Sequence, residues 1–593
     1  MNLHLPQYTA SLEEIQASPN NQRLVKKWQN GLELVNMGET TRQVYKCLRN
    51  LNRQQINPRS RFEMMEQLKP MVRLVLKHLN KHLHGVTFPL LGKSAQIIKL
   101  NHAVLLEAAV AYKHVVHDSA AKGGKIDQKS LMIATHRAMR YLEESVACNA
   151  AIYRTDPTST WHDIHRLQGF AEHSQFADTM VVDKDYATIE GSTISDVFKQ
   201  ACLLAMTQPL RLRSGESDNL RTYFESAVHL ASFTKKLIPD SNGRVHVVSL
   251  KSSEPPAFIP LADITTFSNL RGFDLTRLIS TLNDIADSSG DAPVKAGFSK
   301  VQLEPQLIRR LINTWSTEEK RRFSRVSTNR GIVAAIGLHR IISAIHDDLQ
   351  PEFTREELFV GSNISTPSDA RLSDQLYHTG NDSFAPQTHS DLSTFDPTYR
   401  NDIMLGGEIA SSPAQKTGQP DTWLDWQVTN TGAAGYGLEW KKETPSLARV
   451  GELMALREKE YNIHHWRIGI TRWIKNPNDG GLQIGVQLIA PRALVVSVDS
   501  IANRNQSETM PIEALMLPGM KTIEQPPSIL VPNQFFTLGD ILEISMLGKK
   551  LRIELNSLGE SPSFYSQFFY RSSTVKEETV KSREEFEDLW SRL

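Results

Sequence analysis

The sequence predicts a multi-domain α+β protein, with a helical N-terminal bundle or solenoid, then an antiparallel β-barrel and a further small β-domain. The chain has 593 residues, more than one hydrophobic core holds, so several domains are expected. Apolar residues recur at helical spacing up to about residue 235, whereas alternating strand patterns dominate after about residue 423. Short strands of this kind favour antiparallel barrels over a parallel sheet.

Charge and cysteine content limit the classes of function. The chain carries 67 Lys+Arg against 66 Asp+Glu, so extensive binding to DNA is not expected and any anion site must be local. Its three cysteines, Cys47, Cys148 and Cys202, are far apart and form neither a metal motif nor a disulfide framework. No apolar run reaches the ~18 residues that a membrane span needs. These observations predict a cytoplasmic protein without membrane insertion.

Residues 1–240 are predicted to be helical and to bind a protein partner. Met64, Leu68 and Val75 lie on one stripe of a helix in which Pro70 is expected to cause a kink or a break. Thr193 and Asp196 occupy the positions of a helix capping box. No fixed-period repeat is present, which excludes a recognisable repeat array.

Residues 241–317 form a predicted mixed α/β connector. It opens with the β-branched run RVHVVSL (244–250) and ends in a helix that starts at Pro305, a residue suited to the first helical turn. Residues 346–422 are polar and aperiodic, so they are predicted to be a mostly disordered insertion.

The remainder is predicted to be mostly β-structure. The best hairpin spans residues 466–489 and turns at Asp479-Gly480. Further strands are expected at 493–498, 540–546 and 549–557, within a second β-rich domain at 493–575. A charged C-terminal helix is predicted at 576–593.

Two short stretches carry the candidate site. The segment EEKRRFSRVSTNR (318–330) contains Arg321, Arg322, Arg325 and Arg330, and the strand-like run GIVAAIGL follows it. The stretch VTNTGAAGYGL (428–438) contains the three remaining candidates, Asn430, Gly432 and Gly435. Taken singly, the first stretch is typical of a solvated basic loop and the second of a tight β-turn.

Taken together and in this order, the two stretches resemble the two signatures of the PilZ domain. Arg321 and Arg325 match its Arg-x-x-x-Arg element, with Arg322 as in the frequent double-arginine form. Asn430, Gly432 and Gly435 match its Asp/Asn-x-Ser-x-x-Gly element, except that Gly432 stands where the family has serine. The resemblance assigns residues 318–345 and 423–492 to a PilZ-like barrel, with a strand at 448–458 and the 466–489 hairpin as its closing pair.

The resemblance implies a non-enzymatic effector that binds cyclic di-GMP and acts on a bacterial surface process such as type IV pili, motility or exopolysaccharide. An arginine fork bonds both guanine and phosphate, and an asparagine side chain suits a guanine edge. Gly432 and Gly435 would permit close approach of the main chain. Loss of the family's serine hydroxyl removes a hydrogen bond worth ~0.5–1.5 kcal/mol.

Two alternatives from other classes remain open. One is a helical scaffold whose degenerate barrel binds only protein. The other is an RNA-binding β-barrel protein, and the balanced charge of the chain counts against it. His114/His117 and His162/His165 have helical spacing suited to a metal, but the sequence offers no third ligand. We therefore predict no metal, no cofactor and no catalytic residues, since nucleophile-elbow and Walker motifs are also missing from the sequence.

Overall fold

The computed structural model of the protein describes residues 2–9, 19, 21–83, 85–122, 126–185, 189–266, 270–289, 294–295, 302–316, 324–349, 424–458, 465–478, 480–500, 511–519, 526–546, 549–562 and 564–572. Within these residues the chain forms two compact units. The first comprises residues 1–320 with 442–450 and 473–482, and the second comprises residues 321–441, 451–472 and 483–593. Arg321, Arg322, almost all of the predicted insertion and the predicted C-terminal helix lie outside the described residues.

The first unit is mainly helical, as its apolar periodicity predicts. Its N-terminal helices are α1 (Gln22–Asn30), α2 (Met37–Arg53), α3 (Pro58–Asn80), α4 (Gly92–Lys122), α5 (Gln128–Ala151), α6 (Thr158–His173), α7 (Ile194–Met206) and α8 (Glu216–Ala227). Two-residue strands β1 (Val181–Val182) and β2 (Gly191–Ser192) pair between α6 and α7. None of the described helices combines the length and the apolar character needed to cross a bilayer.

Local sequence signals in this unit have mixed outcomes. The capping box is confirmed, because Thr193 accepts a hydrogen bond from the Asp196 amide and the Asp196 side chain accepts one from the Thr193 amide. Of the two effects predicted for Pro70, the break is wrong, because Pro70 lies inside the uninterrupted helix α3, and the kink stays a prediction. The apolar stripe around it, from Met64 to Leu79, is buried, and this packing stabilises the helix despite the proline.

A small sheet follows the helices. Strands β3 (Ser232–Thr234), β4 (Arg244–Ser249), β5 (Ala257–Pro260) and β6 (Leu270–Asp274) pair antiparallel in the order β3-β6-β4-β5. Helices α9 (Thr276–Ser289) and α10 (Pro305–Ser316) follow, with the short pair β7 (Val294–Lys295) and β8 (Gln302–Leu303) between them. The predicted strand at 244–250 and the predicted helix starting at Pro305 are both confirmed.

The second unit contains a first closed barrel. Its strands are β9 (Val326–Ile336), β10 (Leu424–Gly432), β11 (Gly435–Trp440), β12 (Leu453–Glu458), β13 (Arg467–Lys475) and β14 (Leu482–Ala490). They close in the order β10-β11-β14-β13-β12-β9, which confirms the 466–489 hairpin as a neighbouring pair. Inside, Trp426 and Trp440 pack with their ring centroids 5.0 Å apart.

A second closed barrel follows in the same unit. It is formed by β15 (Leu494–Ser500), β16 (Ile512–Leu517), β17 (Ser528–Pro532), β18 (Ile541–Met546), β19 (Lys549–Leu558) and β20 (Tyr565–Ser572), in the order β15-β16-β17-β20-β19-β18. The two barrels and the helices confirm the predicted fold class. The three strands expected at 493–498, 540–546 and 549–557 are present as β15, β18 and β19.

One helix after β9 was not predicted. Helix α11 (Leu338–Leu349) contains residues 346–349, which the sequence analysis placed at the start of a disordered insertion, so that start is wrong by four residues. Three consecutive polar residues, His346, Asp347 and Asp348, interrupt the apolar pattern near the end of this helix, so the sequence pattern does not show that the helix continues. Ile341, Ile342 and Ile345 are buried in one cluster with Leu515 and Leu530 of the second barrel. The helix is therefore stabilised by packing on both barrels.

Candidate ligand-binding site at one end of the first barrel

A β-bulge in strand β10 determines which way Asn430 points. The register of β10 against β11 pairs Val428 with Leu438 and then Asn430 with Gly437, so Thr429 is the extra residue. Because cross-strand partners share a face and successive pairs alternate, the bulge places Asn430 on the face opposite to the buried Val428. The Asn430 side chain therefore lies on the outside of the barrel.

The Asn430 side chain is held against the neighbouring strand and keeps one acceptor unused. A β-carbon placed on Gly437 would lie 2.5 Å from Asn430 Nδ2, so only glycine leaves room for this side chain. Nδ2 donates to Thr429 Oγ1 at 3.3 Å. Oδ1 is buried and has no hydrogen-bond partner among the described residues. A buried acceptor without a partner is costly, and a ligand N–H group would satisfy it.

Gly432 brings the arginine segment against the same turn. A β-carbon placed on Gly432 would lie 2.7 Å from the main-chain oxygen of Ser324 and 3.6 Å from Arg325 Cγ. The pairing of Thr431 with Val326 aligns the end of β10 with the start of β9, which explains this approach. The two stretches that resemble the PilZ signatures are thus adjacent in space, although about 105 residues separate them in the chain.

Gly435 is close to the protein's own backbone. A β-carbon on Gly435 would overlap the main-chain oxygen of Val486 in β14, and Leu488 donates its amide to Ala434 at 2.9 Å. The approach that glycine permits at this position is therefore between β11 and β14, so Gly435 shapes the turn that presents Asn430. Arg325 is exposed directly before β9.

Sequence reasoning missed a polar cluster at the same end of the barrel, formed by Arg330, Tyr436, Glu458 and Arg467. Arg467 Nη1 donates to Tyr436 Oη and, at 3.2 Å, to Glu458 Oε1. Tyr436 Oη donates to the same Glu458 oxygen at 3.0 Å, and Arg330 lies 3.8 Å from the other. Burial above all, with the Glu458 carboxylate beside it, raises the pKa of Tyr436 to about 12. Strand pairing brings these four residues together, and their spacing along the sequence does not predict it.

Comparison with known families assigns each part of the chain to a domain. Residues 23–239 match the family model described as the N-terminal domain of the cyclic-di-GMP receptor FimW, and residues 245–494 match the middle PilZ domain of that receptor. Residues 496–573 match the FimW C-terminal β-barrel domain. The chain therefore contains a PilZ domain at residues 245–494, with a helical domain before it and a second barrel after it. The PilZ match includes the small sheet and helices that the sequence analysis assigned to a connector.

The chain is similar to one particular receptor along its whole length. The cyclic-di-GMP receptor FimW of Pseudomonas aeruginosa is 24% identical to it over 616 aligned positions, which cover 100% of this chain and 99% of the relative. No solved structure matches the chain.

Proposed function

We propose that this protein is a non-enzymatic receptor for cyclic di-GMP, with its site at the turn of the first barrel. The observation that carries the proposal is the packing of the segment at Ser324–Arg325 against the Asn430–Gly435 turn. The similarity to a cyclic-di-GMP receptor over the whole chain supports the same ligand. The site residues are Arg321, Arg322, Arg325, Asn430, Gly432 and Gly435.

The chemistry of the ligand fits these residues. Cyclic di-GMP has two phosphates and two guanines, and an arginine fork bonds either group through two N–H donors. Asn430 Oδ1 supplies an acceptor for a guanine N–H, and this oxygen has no hydrogen-bond partner within the part of the chain that the structure describes. Arg321 and Arg322 belong to the same segment as Arg325 and would add charge for the phosphates.

The site holds its ligand without turning it over. Among the residues that the structure describes, no group of metal ligands lies beside Arg325, so the proposal assigns no residue to activate a water for attack on phosphorus. The helical domain transmits the bound state to a protein partner, and the surface processes implied by the family resemblance are the outputs. The receptor acts in the cytoplasm, in keeping with its three free, buried cysteines.

Calorimetry with cyclic di-GMP, GTP and cyclic AMP tests the proposal. Arg325→Ala should weaken cyclic di-GMP binding about tenfold to a hundredfold, because a charge-assisted bond of ~1.5–3 kcal/mol is lost. Arg325→Lys should restore little, since an ammonium cannot form the fork. Arg552→Ala, which removes an exposed arginine of the second barrel, is the matched control and should bind as the parent does.

Two outcomes would contradict the proposal. Unchanged affinity in Arg325→Ala would remove the arginine segment from the site. An absence of heat with all three nucleotides would favour the helical scaffold instead. Chromatography after incubation should show intact ligand, and formation of linear dinucleotide would contradict a receptor without turnover.

A further inference from the structure

Residues 2–9 lie against the helical unit and are fixed there through the main chain of His4. The His4 amide donates to Asp163 Oδ1 at 3.0 Å, and Lys113 donates to the His4 carbonyl at 2.8 Å. Leu3 is buried beside them, and Tyr8 donates to Asp118 at 2.6 Å. These contacts hold the His4 side chain against helix α6.

Two imidazoles and one carboxylate meet at this place. His4 Nδ1 lies 3.0 Å from Asp163 Oδ1, and His162 Nδ1 lies 3.2 Å from the same oxygen. Among the described residues, this is the one group of three imidazole or carboxylate side chains whose ligand atoms lie within 4.8 Å of one another. Asp163 is 2% exposed and His162 14%, whereas His4 is 54% exposed and leaves a path from solvent.

The spacing of these atoms fits a small divalent cation. Zn²⁺ bonds imidazole nitrogen and carboxylate oxygen at about 2.0–2.1 Å, and tetrahedral geometry then separates neighbouring ligand atoms by about 3.3 Å. The two nitrogen–oxygen separations of 3.0 and 3.2 Å need only a small expansion, and the ligand nitrogens of the two imidazoles lie within 4.8 Å of each other. We propose that His4, His162 and Asp163 form a Zn²⁺ site, in which water takes the fourth position and the metal fastens residues 2–9 to helix α6.

The surrounding charges set the conditions for binding. Lys113 Nζ forms an ion pair with Asp163 Oδ2 at 2.6 Å, and the His4 amide donates to Oδ1 at 3.0 Å. Lys113 bonds the other oxygen, Oδ2, so the metal would bind Oδ1 through the lone pair that does not accept the His4 amide. Its positive charge makes the site weaker than a cysteine-rich zinc site. Binding also requires Arg166 to give up its 3.4 Å bond to His162 Nε2, because that nitrogen must carry the proton when Nδ1 binds metal.

The proposal also explains why only one member of the predicted His162/His165 pair takes part. His165 Nδ1 bonds the main-chain oxygen of Ser252 at 2.8 Å, and its ring packs edge-on against Phe198. Asp163 and His4 supply the missing ligands, and His4 is 158 residues away from His162 in the chain. A search for local spacing cannot find such a pair.

Zinc and cobalt titrations of the full chain test the site. After treatment with EDTA and its removal, the parent should bind one Zn²⁺ per chain by calorimetry at pH 7.5, and Co²⁺ should give the intense visible absorption of tetrahedral coordination. His4→Ala should weaken binding by more than the about 10–100-fold that loss of an outer-shell partner costs. His4 is exposed near the start of the chain, so the variant should fold, which circular dichroism checks.

His82→Ala is the matched control, because His78 and His82 form the other surface pair on a helix end, with ring centroids 5.8 Å apart. This variant should bind Zn²⁺ as the parent does. The proposal is overturned if the parent binds no Zn²⁺, if His4→Ala binds it unchanged, or if His82→Ala removes the binding.

Discussion

The substitution Gly432→Ser provides the sharpest test of the site, because the sequence and the structure predict opposite effects on ligand binding. The family's serine adds a hydroxyl that would favour ligand binding by ~0.5–1.5 kcal/mol. In the structure, however, the added β-carbon would lie 2.7 Å from the Ser324 oxygen, whereas ordinary contact begins at 3.4 Å. The Ser324 main chain must therefore retreat by about 0.7 Å, the difference of those two distances.

That displacement falls on the segment that carries the arginines. Overpacking of this kind costs about 1–3 kcal/mol where the backbone is held, but Ser324 is exposed and can yield. We therefore expect Gly432→Ser to shift the melting temperature little and to weaken cyclic di-GMP binding about tenfold, equivalent to ~1.4 kcal/mol.

Calorimetry on Gly432→Ser and Ala433→Ser separates the two effects. Ala433 is exposed in the same turn and already has a β-carbon, so its substitution adds a hydroxyl without the clash. The control should bind as the parent does. Binding by Gly432→Ser that equals or exceeds that of the parent would refute the steric argument and favour the hydroxyl argument from the sequence.

Three further predictions concern stability and the long insertion. Glu143→Ala should lower the free energy of unfolding by about 3–5 kcal/mol in urea titrations, because buried Arg140 and partly buried Arg221 both lose this carboxylate; a loss below about 1 kcal/mol would contradict it. Burial above all, with Arg137 beside it, lowers the pKa of His136 to about 3. As the pH falls below 6.5, the unfolded chain therefore binds a proton at this histidine while the folded chain does not. The free energy of unfolding then decreases by up to about 1.4 kcal/mol per pH unit. Unfolding midpoints of the parent and His136→Gln at pH 7.5 and 5.5 should therefore differ in pH dependence, and identical slopes would exclude this histidine. Limited proteolysis should cut first within residues 352–420, and their replacement by a short linker should preserve ligand binding; loss of binding would show that the segment helps to form the site.

The sequence by itself determined most of the secondary structure and the chemistry of the candidate site. Helices and strands form where apolar residues repeat with the period of one regular structure, as in the Thr193 helix and the 466–489 hairpin. The Asn430 turn could also be predicted, because glycine and asparagine adopt turn conformations that other residues avoid. The arginine segment could be predicted from its four arginines within ten positions. Where the periodic signal weakens, as at the polar end of α11, the boundary predicted from the sequence is wrong.

Tertiary structure alone decided which of these residues meet. The bulge at Thr429 turns Asn430 outward, and the contact of Gly432 with Ser324 depends on the register of strands β9 and β10. Likewise, Pro70 remains in a helix because a buried stripe compensates for its lost hydrogen bond, and His4 reaches Asp163 across 159 residues. Local conformational preferences act over a few residues. Strand register, side-chain packing and the pairing of distant charges depend on contacts across the whole core, which no short stretch of sequence contains.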